Sequence, residues 1–343
     1  MPAMAGTRPT LNRPAAAALA TAALAGSAAA VTAGSRAIDR RRVAADPEHR
    51  FLRDPPSGRV RKVDGAGCRL HVEEFGPPDA PAIVLLHGWT CQLRFWAYQL
   101  RDLAGEFRLV APDLRGHGLS PEPEDGDLST DALADDLDAV LEATLEPGQR
   151  AVLAGHSLGA MTIAAWAGRH PEAVGRRARS VVLVNTGLGD LISQALILKL
   201  PGPFEQPRQR IGRLVLGAAN PLPAHNPASH RFIRHVVMTP GASPARVAFC
   251  ENMVLDCPHH VRAGVGRTLS ELELHDAVDK LEVPSYVVAG ERDKLTPMPL
   301  AERLAEDLPQ CAGLVRLEGV GHMAPVEAPE RVDAVLRRAA DAR

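Results

Sequence analysis

The amino-acid sequence predicts an α/β protein in which helices cover both faces of a mostly parallel sheet. From Arg59 onward, short β-branched runs alternate with longer helical stretches, which is typical of such a sheet. The short runs are apolar with little polar alternation, as expected of strands that are buried on both faces. The alternation stops after Asn185, and up to about residue 278 prolines and apolar clusters replace the strand pattern.

Seven strands and at least four helices are expected from this pattern. The expected strands are Leu70–Phe75, Ile83–His87, Leu109–Pro112, Ala151–Gly155, Ser180–Asn185, Tyr286–Ala289 and Val315–Leu317. The expected helices include Thr130–Leu145, Leu158–Arg169, Pro299–Asp307 and Pro329–Ala340. Residues 59–187 and 279–343 are therefore interpreted as the core domain. Residues 188–278 are interpreted as a helical cap, or lid, over the carboxyl edge of the sheet, where ligands bind in open α/β sheets.

The composition of the chain excludes several classes of protein. Hydrophobic residues make up 45% and charged residues 23% of the 343 residues, which is ordinary for a globular protein and too apolar for a disordered one. The net charge of -2 provides no field that would attract nucleic acid, and no nucleic-acid partner is expected. No glycine-rich phosphate loop or dinucleotide fingerprint follows a strand, so no cofactor is expected. The five cysteines lack metal-ligand spacing, so no metal is expected either.

The N-terminal part of the chain differs from the rest in charge and polarity. Residues 1–62 carry eleven Lys and Arg against four Asp and Glu, and residues 15–35 carry no charge and are rich in alanine. As a helix, 15–35 would reach roughly 30 Å, enough to cross a bilayer. We interpret it as a transmembrane anchor, because the arginines that follow would keep the rest of the chain in the cytoplasm. A cleaved signal peptide of a secreted protein and a disordered leader of a soluble cytoplasmic one are the alternatives. Residues 36–58 are interpreted as a basic linker, so that 1–58 precede the core.

A short glycine motif carries the first chemical signal. Gly155-His156-Ser157-Leu158-Gly159 follows an expected strand and opens an expected helix, which matches the G-x-S-x-G nucleophile elbow. Ser157 is therefore the candidate nucleophile. The alternative is an ordinary strand–turn–helix connection with a serine near the helix N-cap.

Backbone amides near this serine could stabilise an oxyanion. Acyl transfer needs preorganised N–H donors, and the elbow motif supplies one from the residue after the nucleophile, here Leu158. The second donor is expected from the loop after an earlier strand, where His87-Gly88-Trp89 places Trp89. The Trp89 side chain is not needed for that role and would line an acyl pocket or belong to the core.

A serine nucleophile needs a base and an orienting acid. His322 lies in Gly319-Val320-Gly321-His322-Met323, between the last expected strand and the last helix, and is the candidate base. Asp293 follows the preceding strand and is the candidate acid, with Asp190 as the alternative. A helix-capping role is the other interpretation of Asp293.

Four segments together resemble the α/β-hydrolase superfamily. They are Leu86-His87-Gly88-Trp89, Asp113 to Ser120 with the preceding Pro112, Gly155 to Gly159, and Gly321-His322. The likeness covers residues 66–340 and is greatest to the branch of esterases, lipases, carbon–carbon bond hydrolases, cofactor-free haloperoxidases and epoxide hydrolases. It implies a mostly parallel central sheet flanked by helices, with the cap after the sixth strand, and the triad order Ser…Asp…His. The segment from Asp113 to Ser120 resembles a loop that is largely structural, so no catalytic role is assigned to it.

The function expected from these residues is hydrolysis of a carboxylic ester through an acyl-enzyme on Ser157. Serine at this position disfavours the epoxide hydrolases and haloalkane dehalogenases of the superfamily, which attack with a carboxylate. The strongly apolar stretch from Leu191 to Phe204 suggests a lipophilic small-molecule substrate; the alternative is that these residues only seal the cap onto the core. Carbon–carbon bond hydrolysis, perhydrolysis and a non-enzymatic ligand receptor on the same fold are the alternatives.

Overall fold

The computed structural model describes residues 37–195, 214, 217–219 and 227–342. Within these residues, eight strands form one sheet. They are β1 Arg59–Asp64, β2 Arg69–Phe75, β3 Ala82–Leu86, β4 Arg108–Pro112, β5 Ala151–His156, β6 Ala178–Val184, β7 Ser285–Gly290 and β8 Cys311–Leu317. Their order across the sheet is β1-β2-β4-β3-β5-β6-β7-β8. Strand β2 pairs antiparallel with β1 and β4, and all other pairs are parallel, so the carboxyl ends of β3 to β8 share one edge.

Helices precede, connect and follow the strands. Before β1 lie α1, residues 37–45, and α2 His49–Arg53. Between β3 and β6 lie a 3₁₀ turn Leu93–Trp96, α3 Ala97–Leu103, α4 Thr130–Thr144, α5 Leu158–Arg169 and α6 Pro171–Arg177. Between β6 and β7 lie α7 Leu191–Gln194, α8 Pro227–Phe232, a π-helical turn Ile233–Val237, α9 Pro244–Asp256, α10 His259–Ser270 and α11 His275–Val278. After β7 come α12 Met298–Asp307, α13 Ala324–Glu327 and α14 Pro329–Ala340.

The hydrophobic core lies on both faces of the sheet. Successive residues of a strand point to opposite faces. In β3, Val84 accordingly packs in one apolar cluster with Trp166 of α5, and Ile83 packs in the other with Trp96 and Leu336. Every residue of β3, β4 and β5 is buried. This two-sided burial explains why their sequences lack polar alternation.

The predicted fold class is confirmed, and each of the seven expected strands is present. The strand β1 was not predicted, since its sequence Arg-Val-Arg-Lys-Val-Asp carries four charges and only Val63 is buried. It is an antiparallel edge strand, in which charged residues are common. The described residues between β6 and β7 form helices and contain no strand. Most of 196–226 lies outside the described residues, so the cap boundaries 188–278 stay a prediction.

The linker predicted over residues 36–58 requires a correction. Residues 37–45 and His49–Arg53 are helical, and Leu52 is buried in the same apolar cluster as Phe75 and Phe249. The ring of Phe51 lies 5.1 Å from that of Tyr98 in α3. Phe51 and Leu52 therefore pack against side chains that are remote in sequence. The local composition of the segment does not reveal these contacts.

The transmembrane helix expected near the N-terminus is also corrected. Among the helices of the described residues, none has the length and the apolar character that a membrane crossing requires. Residues 15–35, on which the prediction rested, lie outside the described residues. The membrane association inferred from them is withdrawn.

All five cysteines lie in the described residues, and each is a free thiol. Four of them are buried, whereas Cys311 at the start of β8 is exposed. No disulfide therefore joins any two of the five cysteines.

A buried ion pair fixes the loop between β4 and α4, and its loss is expected to destabilise the protein strongly. Arg115 donates to both carboxylate oxygens of Asp136, at 2.7 and 2.8 Å, and to the carbonyls of Asp127 and Ala66. The two charged side chains are 1% and 3% exposed. Arg115→Met would leave the Asp136 carboxylate buried without its cation, and should lower the free energy of unfolding by about 3–5 kcal/mol.

Urea unfolding followed by circular dichroism would measure this loss. The matched control is Arg337→Met, which removes an exposed pair with Glu106 whose side chains are 41% and 52% exposed. Exposed pairs contribute at most about 1 kcal/mol, so the control should change little. Equal effects of the two substitutions would show that burial does not set the contribution of the Arg115 pair.

Candidate active site

Ser157 occupies the sharp turn between β5 and α5. Its backbone has φ 50° and ψ -113°, a conformation that is strained for a residue with a side chain and is typical of functional sites. A Cβ at Gly155 would collide with the backbone of Gly159 and Ala160, and a Cβ at Gly159 would collide with the carbonyl of Leu86. Both glycines of the motif are therefore required for the close packing of this turn.

His322 and Asp293 form a hydrogen-bonded pair at the same edge of the sheet. Asp293 follows β7, His322 follows β8, and His322 Nδ1 lies 2.7 Å from Asp293 Oδ2. Asp293 is buried, with 1% exposure. Its carboxylate accepts further hydrogen bonds from Asn185 Nδ2, Leu295 N, Thr296 N and Thr296 Oγ1, at 2.7 to 2.9 Å. Five donors thus converge on one buried carboxylate.

These donors keep Asp293 ionised. Burial acts to raise the pKa of the Asp293 carboxyl, but the neighbouring His322 imidazole and the hydrogen bonds from His322 and Thr296 outweigh burial, so the pKa is lowered. An ionised carboxylate only accepts hydrogen bonds, so Nδ1 of His322 carries the hydrogen. Nε2 of a neutral His322 is then the nitrogen available as a base.

The serine side chain is not hydrogen-bonded to the histidine in this structure. Within the described residues, Ser157 Oγ has no hydrogen bond to His322. The ring of His156, the residue before Ser157, lies 4.9 Å from the ring of His322. In enzymes without substrate, such catalytic hydrogen bonds are often long and tighten in the complex.

The alternative acid Asp190 lies elsewhere. It precedes α7 with φ 57°, and its carboxylate lies 3.2 Å from the guanidinium of Arg303. Its side chain is 45% exposed. Of the two candidate acids, Asp293 is therefore the one whose carboxylate contacts the His322 imidazole.

The two candidate oxyanion donors are backbone amides that have no acceptor among the described residues. Leu158 N is at the first position of α5, and Trp89 N lies in the loop after β3. Neither amide donates to a backbone or side-chain acceptor anywhere in the described part of the chain. The Trp89 indole donates instead to the carbonyl of Arg262 in α10, at 3.2 Å, so this side chain ties the loop after β3 to the segment between β6 and β7.

Sequence reasoning missed three residues that support this site. Asn185 has φ 46° at the end of β6 and donates to both Asp293 Oδ2 and the carbonyl of Gly321. Thr296 donates its hydroxyl to the same carboxylate oxygen at 2.7 Å. The position of Asn185 at the carboxyl end of a central strand was the available signal. Thr296, three residues after Asp293, offered none.

His156 is the third missed residue. Its Nε2 donates to the carbonyl of His322 at 2.8 Å, which fixes the backbone of the candidate base. Burial lowers the pKa of His156 to about 3, so its ring is neutral at ordinary pH. A Cβ at Gly88 would lie 2.6 Å from His156 Nδ1, so the glycine before Trp89 makes room for this ring.

The segment from Asp113 to Ser120 forms hydrogen bonds that hold the neighbouring loops. The Asp113 carboxylate accepts hydrogen bonds from Leu93 N and Leu119 N, and burial raises its pKa. His87 Nε2 accepts from Leu114 N at 3.0 Å.

Over the described ranges, no cluster of three or more His, Cys, Asp or Glu side chains could hold a metal ion.

Comparison with known proteins agrees with this architecture. The sequence profile of the Alpha/beta hydrolase family matches residues 83–335. The chain belongs to this family. It is 26% identical over 269 residues to the AB hydrolase superfamily protein YisY of Bacillus subtilis, covering 78% of this chain and 93% of that protein. It is 27% identical over 274 residues to the bifunctional esterase/perhydrolase DCH of Acinetobacter calcoaceticus, covering 78% and 94%.

The solved structures include other members of the α/β-hydrolase fold. A hydrolase from Pseudomonas aeruginosa superposes with a TM-score of 0.65 at 25% identity, covering 84% of this chain and all of that one. The resemblance stated from the sequence motifs is thus confirmed. This α/β hydrolase spans nearly the full length of these three proteins.

Proposed function

We propose that this α/β hydrolase cleaves carboxylic esters through an acyl-enzyme on Ser157, with His322 as general base and Asp293 as the residue that orients it. The observation that carries the proposal is the buried Asp293–His322 hydrogen bond of 2.7 Å, at the edge where strained Ser157 ends β5. This pair supplies the base and the orienting acid that a serine triad needs. The esterase activity in the name of the Acinetobacter relative supports the choice of an ester.

The first half of the reaction forms the acyl-enzyme. His322 Nε2 takes the proton of Ser157 Oγ as this oxygen attacks the ester carbonyl. The amides of Leu158 and Trp89, which have no acceptor within the described residues, donate to the developing oxyanion. The tetrahedral intermediate then collapses, and His322 returns the proton to the leaving alcohol.

The second half releases the acid. A water molecule gives a proton to His322 as its oxygen attacks the acyl carbonyl, and the same two amides stabilise the second oxyanion. Ser157 leaves as the alcohol after taking the proton back. Throughout, the ionised Asp293 stabilises the imidazolium that forms twice per turnover.

A lipophilic substrate is part of the proposal. It rests on the apolar sequence from Leu191 to Phe204, of which only residues 191–195 are described. Helix α10 of the insertion between β6 and β7 lies beside the site, because Trp89 donates to the carbonyl of Arg262 in this helix. We therefore expect side chains of this insertion to select the acyl or alcohol group.

A covalent probe and a substrate series together test the proposal. An alkyl fluorophosphonate should add to Ser157 alone, because only an activated serine attacks phosphorus at neutral pH, and digestion with mass spectrometry would locate the adduct. p-Nitrophenyl esters of two to sixteen carbons should be hydrolysed best at the longer chain lengths. An adduct on another residue, or no reaction with probe and esters in a folded sample, would refute the serine mechanism. A two-carbon optimum would refute the lipophilic preference alone.

A further inference from the structure

The backbone of His322 is held from two sides. On the core side, His156 Nε2 donates a hydrogen bond to the carbonyl oxygen of His322. The insertion between β6 and β7 holds its amide side, because His322 N donates to the carbonyl of Val237 at 3.0 Å. The loop contains Gly319 with φ 76° and Gly321, so its own backbone is permissive and its position depends on these outside contacts.

Glu327 at the end of α13 joins the same two segments. One carboxylate oxygen accepts from Thr239 N at 2.9 Å and Thr239 Oγ1 at 2.7 Å, two residues beyond Val237. The other accepts from Met323 N, the residue after His322, at 3.2 Å. The glutamate therefore fixes residues 237–239 of the insertion against the loop that carries His322.

Arg246 in α9 extends this network to the N-terminal part of the chain. Its Nη1 donates to the carbonyl of Glu327 at 3.0 Å. Its Nη2 and Nε donate to the two carboxylate oxygens of Glu48, at 2.7 and 2.8 Å. This is a bidentate guanidinium–carboxylate pair, which fixes orientation as well as distance. The side chains of Arg246 and Glu48 are only 20% and 27% exposed.

Residues 46–48 also contact the start of α9 and the core. Asp46 accepts from Ala245 N at 3.1 Å and so caps this helix beside the N-cap Ser243. Glu48 accepts from the Tyr98 hydroxyl of α3 at 2.8 Å. The segment thus joins the first turn of α9 to α3, at the point from which Arg246 reaches α13.

We propose that residues 46–48 form a clasp that positions His322, with Glu48 and Arg246 as positioning residues for the reaction. The proposal rests on the proposed function, because it assigns His322 the role of base. Loss of the clasp removes the Glu48 carboxylate from Arg246, so α9 and residues 237–239 are held less firmly. The hydrogen bond from His322 N to the carbonyl of Val237 is weakened as a result. A displacement of about 1 Å in a catalytic group can lower a rate by about 10²-fold.

The test compares Glu48→Ala with a matched control in the full chain. Glu106→Ala is the control, because Glu106 also pairs with an arginine, Arg337 at 2.8 Å, but no side-chain hydrogen bond of Glu106 within the described residues reaches the His322 loop. For p-nitrophenyl ester hydrolysis well below the melting temperature, Glu48→Ala should lower kcat by about 10- to 100-fold with KM nearly unchanged. Glu48→Gln, which keeps an acceptor for Arg246, should recover part of the loss. Glu106→Ala should leave kcat and KM as in the wild type.

Hydrogen exchange supplies a readout that does not depend on turnover. In Glu48→Ala, peptides covering residues 237–240 and 318–328 should exchange faster, while those covering β5 should not change. Equal exchange rates in wild type and variant, or an unchanged kcat in a folded variant, would overturn the clasp. A uniform rise over all peptides would also overturn it, since it indicates global destabilisation. Wild-type protein that hydrolyses no ester would refute the proposed function, and exchange would then decide whether Glu48 positions the loop.

Discussion

Ser157→Ala is expected to lower kcat for ester hydrolysis by about 10⁴- to 10⁶-fold, the largest effect that we predict for a single substitution. Alanine cannot form the acyl-enzyme, and the oxyanion donors with bound water would provide only the residual rate. Because alanine has to adopt the same φ of 50°, the substitution does not relieve the strain of the turn. The melting temperature should therefore stay close to that of the wild type while activity is lost.

Steady-state kinetics on a p-nitrophenyl ester would measure this effect, with fluorophosphonate labelling in parallel. Ser270→Ala is a suitable control, since among the described residues the Ser270 hydroxyl donates only to the carbonyl of Arg267 at the end of α10. The control should keep wild-type activity and labelling. Retention of more than a few per cent of kcat in Ser157→Ala, with contaminating esterases excluded, would remove Ser157 from the mechanism.

Asp293→Asn is expected to lower kcat by about 10⁴-fold while leaving Ser157 in place. In the native protein, His322 Nδ1 and Thr296 Oγ1 both donate to the carboxylate. The NH₂ group of asparagine would face one of these two donors, and two donors cannot form a hydrogen bond with each other. The imidazole would then favour the tautomer with hydrogen on Nε2, which cannot take the proton of Ser157. The imidazolium would also lose its stabilising charge.

The matched control for this prediction is Asp190→Asn, because Asp190 is the other acid that the sequence offered. Asp190 pairs with Arg303 at 3.2 Å, and its substitution should leave kcat within about twofold. Both proteins should keep the circular dichroism of the wild type. A loss of activity confined to Asp190→Asn would transfer the orienting role to that residue.

Much of the fold could be predicted from local patterns in the sequence. The apolar strands around Ile83 and Val152 and the elbow at Ser157 follow from residues that are adjacent in sequence, since strand burial and turn sterics are local properties. The edge strand Arg59–Asp64 was not readable, because it is stabilised by pairing with β2 and its sequence has no apolar face of its own.

The candidate triad illustrates the same distinction. Ser157, Asp293 and His322 were proposed from short motifs and from the expectation that parallel strands end at one edge. Asn185 and Thr296 were not, because a side chain that hydrogen-bonds a carboxylate leaves no spacing pattern when its partner is remote or its rotamer is unknown. The sequence also offered two acids, and only the contact at 2.7 Å distinguishes them.

The sequence alone determined the α/β class, the hydrolase family motifs and the three residues proposed for catalysis. The tertiary structure decided that Asp46 and Glu48 belong to the folded domain, where the sequence indicated a linker. The physical reason is the range of the interactions. Periodicity and turn chemistry act within a few residues, whereas the pair of Glu48 with Arg246 joins groups 198 residues apart that only the completed fold brings together.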